Sequence, residues 1–351
     1  MSMFASKWRC SALWVAWVAF ALAGCNQIQK DPALNKTESA HDTRTHCVGR
    51  FLIDLPADFE QTKGSDADLI YGLGKDFRSV KVQVLRAEGS QPSLDSLVKT
   101  RSAELSSQDH LKSASKSMLA MLRRVNDSAV LIRSYDSPDM LNYFKAELFA
   151  EKNGSIGVFK DEVHKNERPE DIEDKLLRVA ERTSFAPDVN QAGRGTCLGH
   201  LLMNAGQDGE ILMVSFRAKR WPDVLIQLDM NSMLTKSDGG LLTRWDRNAG
   251  ALNKLDFQSS TLRRGKVTVG GMPGEELLSK GKDRGHVVRS FTAESLLLKP
   301  ATFSTPSLAI SMNMGGQLDS PEGRDASWTD DEAQAIWGAI VKSLRLRPGA
   351  L

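Results

Sequence analysis

The chain runs the same course twice, and this constrains its fold more than any single motif. One half opens Cys47-Val48-Gly49 and the other Cys197-Leu198-Gly199. Each opening leads into apolar residues: Phe51, Leu52 and Ile53 in the first, Leu201, Leu202 and Met203 in the second. Each half then alternates with a period of two. Val80, Val82 and Val84 alternate with Lys81 and Gln83. Leu212, Val214 and Phe216 form one face of a later run, and Val224, Ile226 and Leu228 follow Pro222. Such alternation puts one strand face in a core and the other in water. More strand-like runs cover 129–135, 143–150 and 155–163, then 266–269, 286–291 and 308–314. Asn153-Gly154 between two of them signals a tight hairpin turn.

Each half closes with a helical pattern. Pro169 suits a first helical turn, with Glu170, Asp171 and Glu173 near the positive end of the dipole. Ile172, Leu176, Val179 and Ala180 share one face. The second closing helix starts at the capping box Thr329-Asp330-Asp331-Glu332, and Ala333, Ile336, Trp337, Ile340 and Leu344 line its apolar face. Phe185-Ala186-Pro187 follows the first helix and Leu346-Arg347-Pro348 the second. A further helix is predicted over 93–107, with Leu94, Leu97, Val98 and Leu105. The repeat is roughly 140–150 residues, far too long for a solenoid unit. The fold class that follows is α+β: two similar domains, 45–189 and 190–351, each an antiparallel sheet with one or two packed helices. The stretch 187–196, with Asn190, Gln191, Gly193 and Gly195, reads as the linker.

The N-terminus has the parts of an export signal. Lys7 and Arg9 form a basic start, and 11–22 is an apolar run holding Trp14, Val15, Trp17, Val18 and Phe20. That run is shorter than the ~20 residues a spanning helix needs, so residues 1–24 read as a signal peptide, not an anchor. It ends in Leu22-Ala23-Gly24-Cys25, which resembles the lipobox of bacterial lipoprotein signals. The small residues at 23 and 24 would let the backbone enter the peptidase, and the Cys25 thiol would accept the diacylglycerol. Two or more acyl chains hold a protein stably to a membrane where one does not. Asn26 in place of aspartate points, by the same resemblance, to the inner leaflet of the outer membrane, facing the periplasm. Residues 25–44 are mostly polar and read as a lipidated flexible tether.

Lys7 and Arg9 leave with the signal, so 44 basic and 44 acidic residues remain. A neutral chain argues against nucleic acid as a partner, because phosphate binding needs a basic excess or stripe. Cys47 and Cys197 are the cysteines left over. In the oxidising periplasm they either pair or lie as separate buried thiols; a bridge requires Cα atoms within ~7 Å. Closing so long a loop would restrain the unfolded chain by ~5 kcal/mol in the entropic account.

Signs of chemistry are few. There is no Gly-x-Ser-x-Gly elbow and no His-x-x-x-His or Cys-x-x-Cys spacing, so neither a common serine hydrolase nor a zinc site is signalled, and no cofactor is implied. His41 and His46 lie in or beside the tether. His110, His164, His200 and His286 are scattered and read as solvated or structurally bonded. Gly72-Leu73-Gly74-Lys75 lacks most of a phosphate loop and reads as a turn between strands. Arg123-Arg124 and Arg263-Arg264 read as solvated strand ends. In the stretch from Val269 through Gly270, Gly271, Met272, Pro273 and Gly274 to Glu275 and Glu276, Pro273-Gly274 suits the centre of a type II turn. On a strand Glu275 and Glu276 would point to opposite faces, which argues against a paired acid and base.

The opening from Cys47 to Pro56, the second opening at Cys197 and the 269–276 stretch together resemble the immunity proteins that guard Gram-negative bacteria against type VI secretion phospholipase effectors. The resemblance spans nearly all of the chain after the signal, in an N-terminal and a C-terminal family domain. It implies a periplasmic binding protein, not an enzyme, whose partner is a cognate phospholipase effector of the α/β-hydrolase lipase type. The duplication suggests in addition that two joined domains could embrace a protruding lid of that lipase. The resemblance carries no catalytic motif across and singles out no contact residues. The competing expectations are an envelope hydrolase whose residues gather from distant segments, and a structural or assembly lipoprotein.

Overall fold

The computed structural model describes residues 42–74, 77–86, 92–164, 166–252, 259–318 and 320–351. The first half supplies β1 (Thr43–Gly49), β2 (Phe51–Pro56), β3 (Phe59–Gln61), β4 (Asp66–Tyr71), β5 (Arg78–Arg86), α1 (Leu94–Ser107), β6 (Leu119–Asn126), β7 (Ala129–Tyr135), β8 (Phe144–Lys152), β9 (Ser155–Val163), α2 (Pro169–Glu181) and β10 (Thr183–Phe185). The second supplies β11 (Thr196–Leu198), β12 (Leu201–Met203), β13 (Gly209–Ala218), β14 (Val224–Asn231), α3 (Leu241–Leu252), β15 (Ser259–Val269), β16 (Met272–Asp283), β17 (His286–Ser295), β18 (Ser307–Met314), α4 (Asp330–Ser343) and β19 (Arg345–Leu346).

The duplication is plain in the strand order. The larger sheet runs β15-β16-β17-β18-β14-β13-β4-β5-β9-β8-β7-β6, with β3 on β13. Read outward from the β13–β4 seam, β14, β18, β17, β16, β15 on one side match β5, β9, β8, β7, β6 on the other. The smaller sheet runs β10-β12-β11-β1-β2-β19 and is symmetric about the β11–β1 seam. Here the halves exchange ends: β10 closes the first half by pairing β12, and β19 closes the second by pairing β2. All these ladders are antiparallel, as the α+β reading expects. The halves do not, however, own separate sheets; both sheets pass through both halves.

The two Cys-x-Gly openings have a common physical cause. Val48 faces Phe51 and Leu198 faces Leu201, so each hairpin turns on two residues, Gly49-Arg50 and Gly199-His200. Gly49 and Gly199 have φ of 61° and 60°, the first position of a type II′ turn. A Cβ on Gly49 would also meet the Met230 side chain at 2.5 Å. The sulfurs of Cys47 and Cys197 are bonded across the β1–β11 seam, with Cα atoms 5.7 Å apart.

In the 269–276 stretch the turn sits elsewhere than Pro273-Gly274. Val269 pairs with Met272, and Gly270-Gly271, with φ of 59° and 82°, make the type I′ turn. Two residues of positive φ match the twist of the flanking strands better than a type II turn would. Pro273 and Gly274 belong to β16, where a Cβ on Gly274 would meet the Glu294 carbonyl oxygen at 2.5 Å. Glu275 and Glu276 do point to opposite faces. The Glu275 carboxylate accepts the Leu242 N–H at the start of α3, while Glu276 accepts Trp337 Nε1–H of α4 at 3.0 Å.

One face of the large sheet, the smaller sheet, α2 and α4 enclose the main core, which includes Leu131, Phe159, Leu176, Phe216, Phe291 and Trp337. α1 and α3 lie on the other face. α1 is capped by Ser93 and buries Leu94, Val98 and Leu105 against Val130, Ile132 and Phe149. α3 packs Trp245 on Leu277. The arginine pairs are exposed, as expected, but lie within strands and not at their ends. They sit on the edge strands β6 and β15 and tie both helical layers down. Arg123 bonds Glu173 of α2 and Arg124 bonds Asp95 of α1; Arg263 bonds Glu276 and Arg264 bonds Asp246 of α3. Charges along an outer strand also discourage edge-to-edge aggregation.

The segment expected to link the halves is packed in place. Val189 and Ala192 join the cluster around the disulfide. Arg347 donates to the carbonyl oxygens of Gly193 and Gly195, and Gly195 N–H donates to Ala350. Arg50, 6% exposed, pairs with the fully buried Glu210 at 3.1 Å, and Glu210 also accepts from Thr196 and Gln207. This network joins β1–β2, the β11 region and the C-terminus. The expected outcome is a single cooperative thermal transition for both halves, with Glu210→Leu, which strands the buried Arg50 charge, lowering stability by ~3–5 kcal/mol in that same transition. Two separate calorimetric transitions would contradict the shared sheets.

Candidate functional site

Between α1 and α3 the large sheet has a face that no other helix or strand among the described residues covers. α1 packs over β6, β7 and β8, and α3 over β16. The strands between them, β9, β5, β4, β13, β14, β18 and β17, span six strand spacings, roughly 29 Å at ~4.8 Å each. Period two makes the composition of this face simple. Leu212, Val214 and Phe216 point into the core, so Met213, Ser215 and Arg217 point out; Asp229 and Gln227 do the same on β14.

One row across this floor is acidic. Cross-strand partners run from Gln83 through Asp66, Met213, Asp229, Ala309 and Glu294 to Glu275. Most of the carboxylates are answered locally. Lys81 Nζ lies 3.2 Å from both Asp66 and Asp68, and Arg244 of α3 pairs with Glu294. Burial alone would lower the Lys81 pKa, but Asp68 and Asp66 outweigh it and raise it. Burial raises the Asp68 pKa against the pull of Lys81. Asp229 differs. Its carboxylate accepts Gln227 Nε2–H at 3.1 Å and meets no cation among the described residues. Burial pushes its pKa up to about 6; the Gln227 bond opposes this, while Asp66 and Glu294 add to it. Met213, 39% exposed, stands beside it. A negative group flanked by an exposed thioether and lacking a counter-charge is suited to a partner's aliphatic cation, Lys or Arg.

Four of the candidate histidines have structural partners. His110 is 1% exposed; its Nδ1 accepts the N–H groups of Lys112 and Ser113, and its Nε2 bonds the Met140 carbonyl. His200 Nδ1 bonds the Ala186 carbonyl. His46 packs edge-on to Phe216 at 4.9 Å, and burial lowers its pKa to about 4, helped by Arg44 and His200. His286 bonds the Glu322 carbonyl. Gly72 to Gly74 form the turn between β4 and β5, with Lys75 outside the described residues. Among the described residues no three His, Cys, Asp or Glu gather as metal ligands, and no helix is long and apolar enough to cross a membrane. The lipobox residues Leu22, Ala23, Gly24 and Cys25, with His41, lie outside the described residues. The acidic row is not legible in the sequence because its carboxylates come from four strands; the period of two gives each one's face but not the order of strands.

Asp229 fixes a sign for pH dependence. Its folded pKa lies above its unfolded one, so the folded state holds the extra proton between roughly pH 4 and 6, and this contribution to stability fades as pH rises through 6. Asp229→Asn keeps an acceptor for Gln227 and removes the charge. It should raise stability at pH 7, by at most ~3 kcal/mol, and change it little at pH 4. Thermal melts at the two pH values check this.

Two family profiles match the chain in succession: the Tle cognate immunity protein 4 N-terminal domain over residues 44–193 and its C-terminal domain over 191–349. No curated protein matches. Among solved structures, the apo immunity protein TplEi of the T6SS from Pseudomonas aeruginosa is 25% identical, with a TM-score of 0.62 over 88% of this chain and 98% of that one. A crystal structure of a Tle4-Tli4 complex holds a chain 24% identical, with a TM-score of 0.62 and the same coverage. TplEi complexed with an "L" peptide is 23% identical, with a TM-score of 0.58, covering 87% of this chain and 98% of that one. With both domains matched in order and together covering nearly every described residue, the chain belongs to the Tle cognate immunity protein 4 family.

Proposed function

We propose that this protein is a periplasmic inhibitor that binds a phospholipase effector of the type VI secretion system and protects the cell from self or sibling intoxication. Membership of the immunity family carries this reading. Two features of the molecule are consistent with it. The floor between α1 and α3 has room for a helix, ~10–12 Å across, or a protruding loop. Its size suits an interface of ~800 Å² per partner. In this reading α1 and α3 form the two rims of the embrace, and the effector's lid lies across the floor with a basic side chain against Asp229. Lipid on Cys25 holds the inhibitor at the membrane the effector attacks, at the periplasmic face of the outer membrane.

The primary test expresses the effector encoded beside this gene in the periplasm, with and without this protein. Survival only with the protein is expected; equal killing rejects the inhibitor reading. Met213→Arg with Asp229→Arg should weaken effector binding at least ~30-fold, the scale of one ~2 kcal/mol hot spot, in calorimetric titration. Unchanged affinity would move the interface off this floor. Cys25→Ala should mislocalise the protein in cell fractionation while leaving effector affinity intact.

A further inference from the structure

A second concavity lies on the opposite side of the large sheet. It is a half-open groove of about 510 Å³ between the β15–β16 hairpin and α4, ending at β19. Its floor is aliphatic: Val267 from β15, Val341 and Leu344 from the α4 end, and Leu346 from β19. Its volume falls within the ~300–1,000 Å³ typical of small-molecule sites.

Gly338 shows that the groove is not required by packing. It lies inside α4, where glycine weakens a helix relative to alanine. Its φ is not positive, and a Cβ built on it would meet nothing within 4 Å. Neither backbone conformation nor a close neighbour calls for glycine here. What its missing side chain does is leave the groove open.

The mouth is cationic. Lys342, one helical turn after Gly338 on the same face, is exposed and has no ion-pair or hydrogen-bond partner among the described residues. Arg263, Arg345 and Glu276 also line the groove, but Arg263 already holds Glu276 and Arg345 holds Asp54, so Lys342 is the cation left over there. An inorganic anion would have no use for the aliphatic floor, and a neutral lipid none for Lys342. A peptide would bring backbone amides that aliphatic side chains cannot satisfy. A single acyl chain with an anionic head has none of these mismatches.

We propose that the β15–α4 groove binds a single-chain anionic amphiphile, a fatty acid or a lysophospholipid, with its chain along the aliphatic floor and its head group at Lys342. Membrane breakdown by a phospholipase releases both kinds of molecule, but the site stands on its own geometry and its test contains no effector.

The full chain is expressed in cells, which are fed either a diazirine-bearing palmitate or a diazirine-bearing lysophosphatidylglycerol and irradiated. Tryptic peptides 267–280 and 325–342 hold all the groove residues of β15, β16 and α4 except Arg263. Label from either probe should concentrate on them and identify which source supplies the ligand. Gly338→Leu fills the groove and should cut that label at least tenfold without lowering the thermal midpoint, since its side chain enters open space. Lys342→Glu, at an exposed position, should also cut it tenfold, and Lys342→Arg should retain it. Label from neither probe, label spread evenly over the surface, or label unchanged by both Gly338→Leu and Lys342→Glu overturns the proposal.

Discussion

Five residue pairs, from Met213–Asp66 to Gly209–Ile70, join β4 to β13 and turn two half-sheets into one. Much else follows from that seam. Because the halves meet antiparallel at equivalent strands, helices that occupy equivalent places, α1 and α3, fall on the same face at opposite ends. α2 and α4 fall together on the other face, over the smaller sheet. The smaller sheet repeats the arrangement, and its exchange of β10 and β19 means that each half is completed by its neighbour. The buried Arg50–Glu210 pair sits where those exchanges converge. A buried charge pair is weak evidence of stability, because desolvation offsets most of its attraction. Its stronger consequence is geometric: Glu210 is satisfied only when Thr196, Gln207 and Arg50 arrive together.

The two faces of the large sheet are under different demands. The inner face is closed and apolar, and the row of Leu212, Val214 and Phe216 is fully buried or nearly so. The outer face keeps a row of carboxylates in which Lys81 and Arg244 answer their neighbours and no cation among the described residues answers Asp229. A fold selected for stability alone would have neutralised that position. An unanswered charge on an open floor is the pattern of a surface whose counter-charge arrives with a partner.

Much of this architecture was legible in the sequence where the determinants are local. Period-two alternation located β5, β13 and β14; Asn153-Gly154 located the β8–β9 turn; Ser93, Pro169 and Thr329 marked three helix starts. α3 was missed because its first turn has no Ser, Thr, Asp or Asn cap of its own: its Leu242 N–H is satisfied by Glu275, 33 residues away. β16 was misread for a related reason. Pro273-Gly274 carries a turn signature, but the adjacent Gly270-Gly271 satisfies the hairpin twist, and Gly274 serves a close approach to Glu294. The carboxylate partners of the exposed arginine pairs are not legible, because they lie on helices and a strand that only the topology brings near. The fused sheets themselves leave no local trace, since a strand's pattern names its face and not its neighbour.

The fusion changes what an embrace can mean for this protein. Two domains on a hinged linker would close around a partner and lose motional freedom in doing so. Here the segment between the halves is held by Arg347, Ala350 and the disulfide cluster, and thirteen strands form one sheet. α1 and α3 therefore stand at fixed separation before any partner arrives. Binding to a preformed surface avoids most of the ordering cost that would otherwise subtract from affinity. On the proposed interface, selectivity would then come from the floor, from which side chains meet Met213 and Asp229, because the rims cannot adjust to admit a wider or narrower guest.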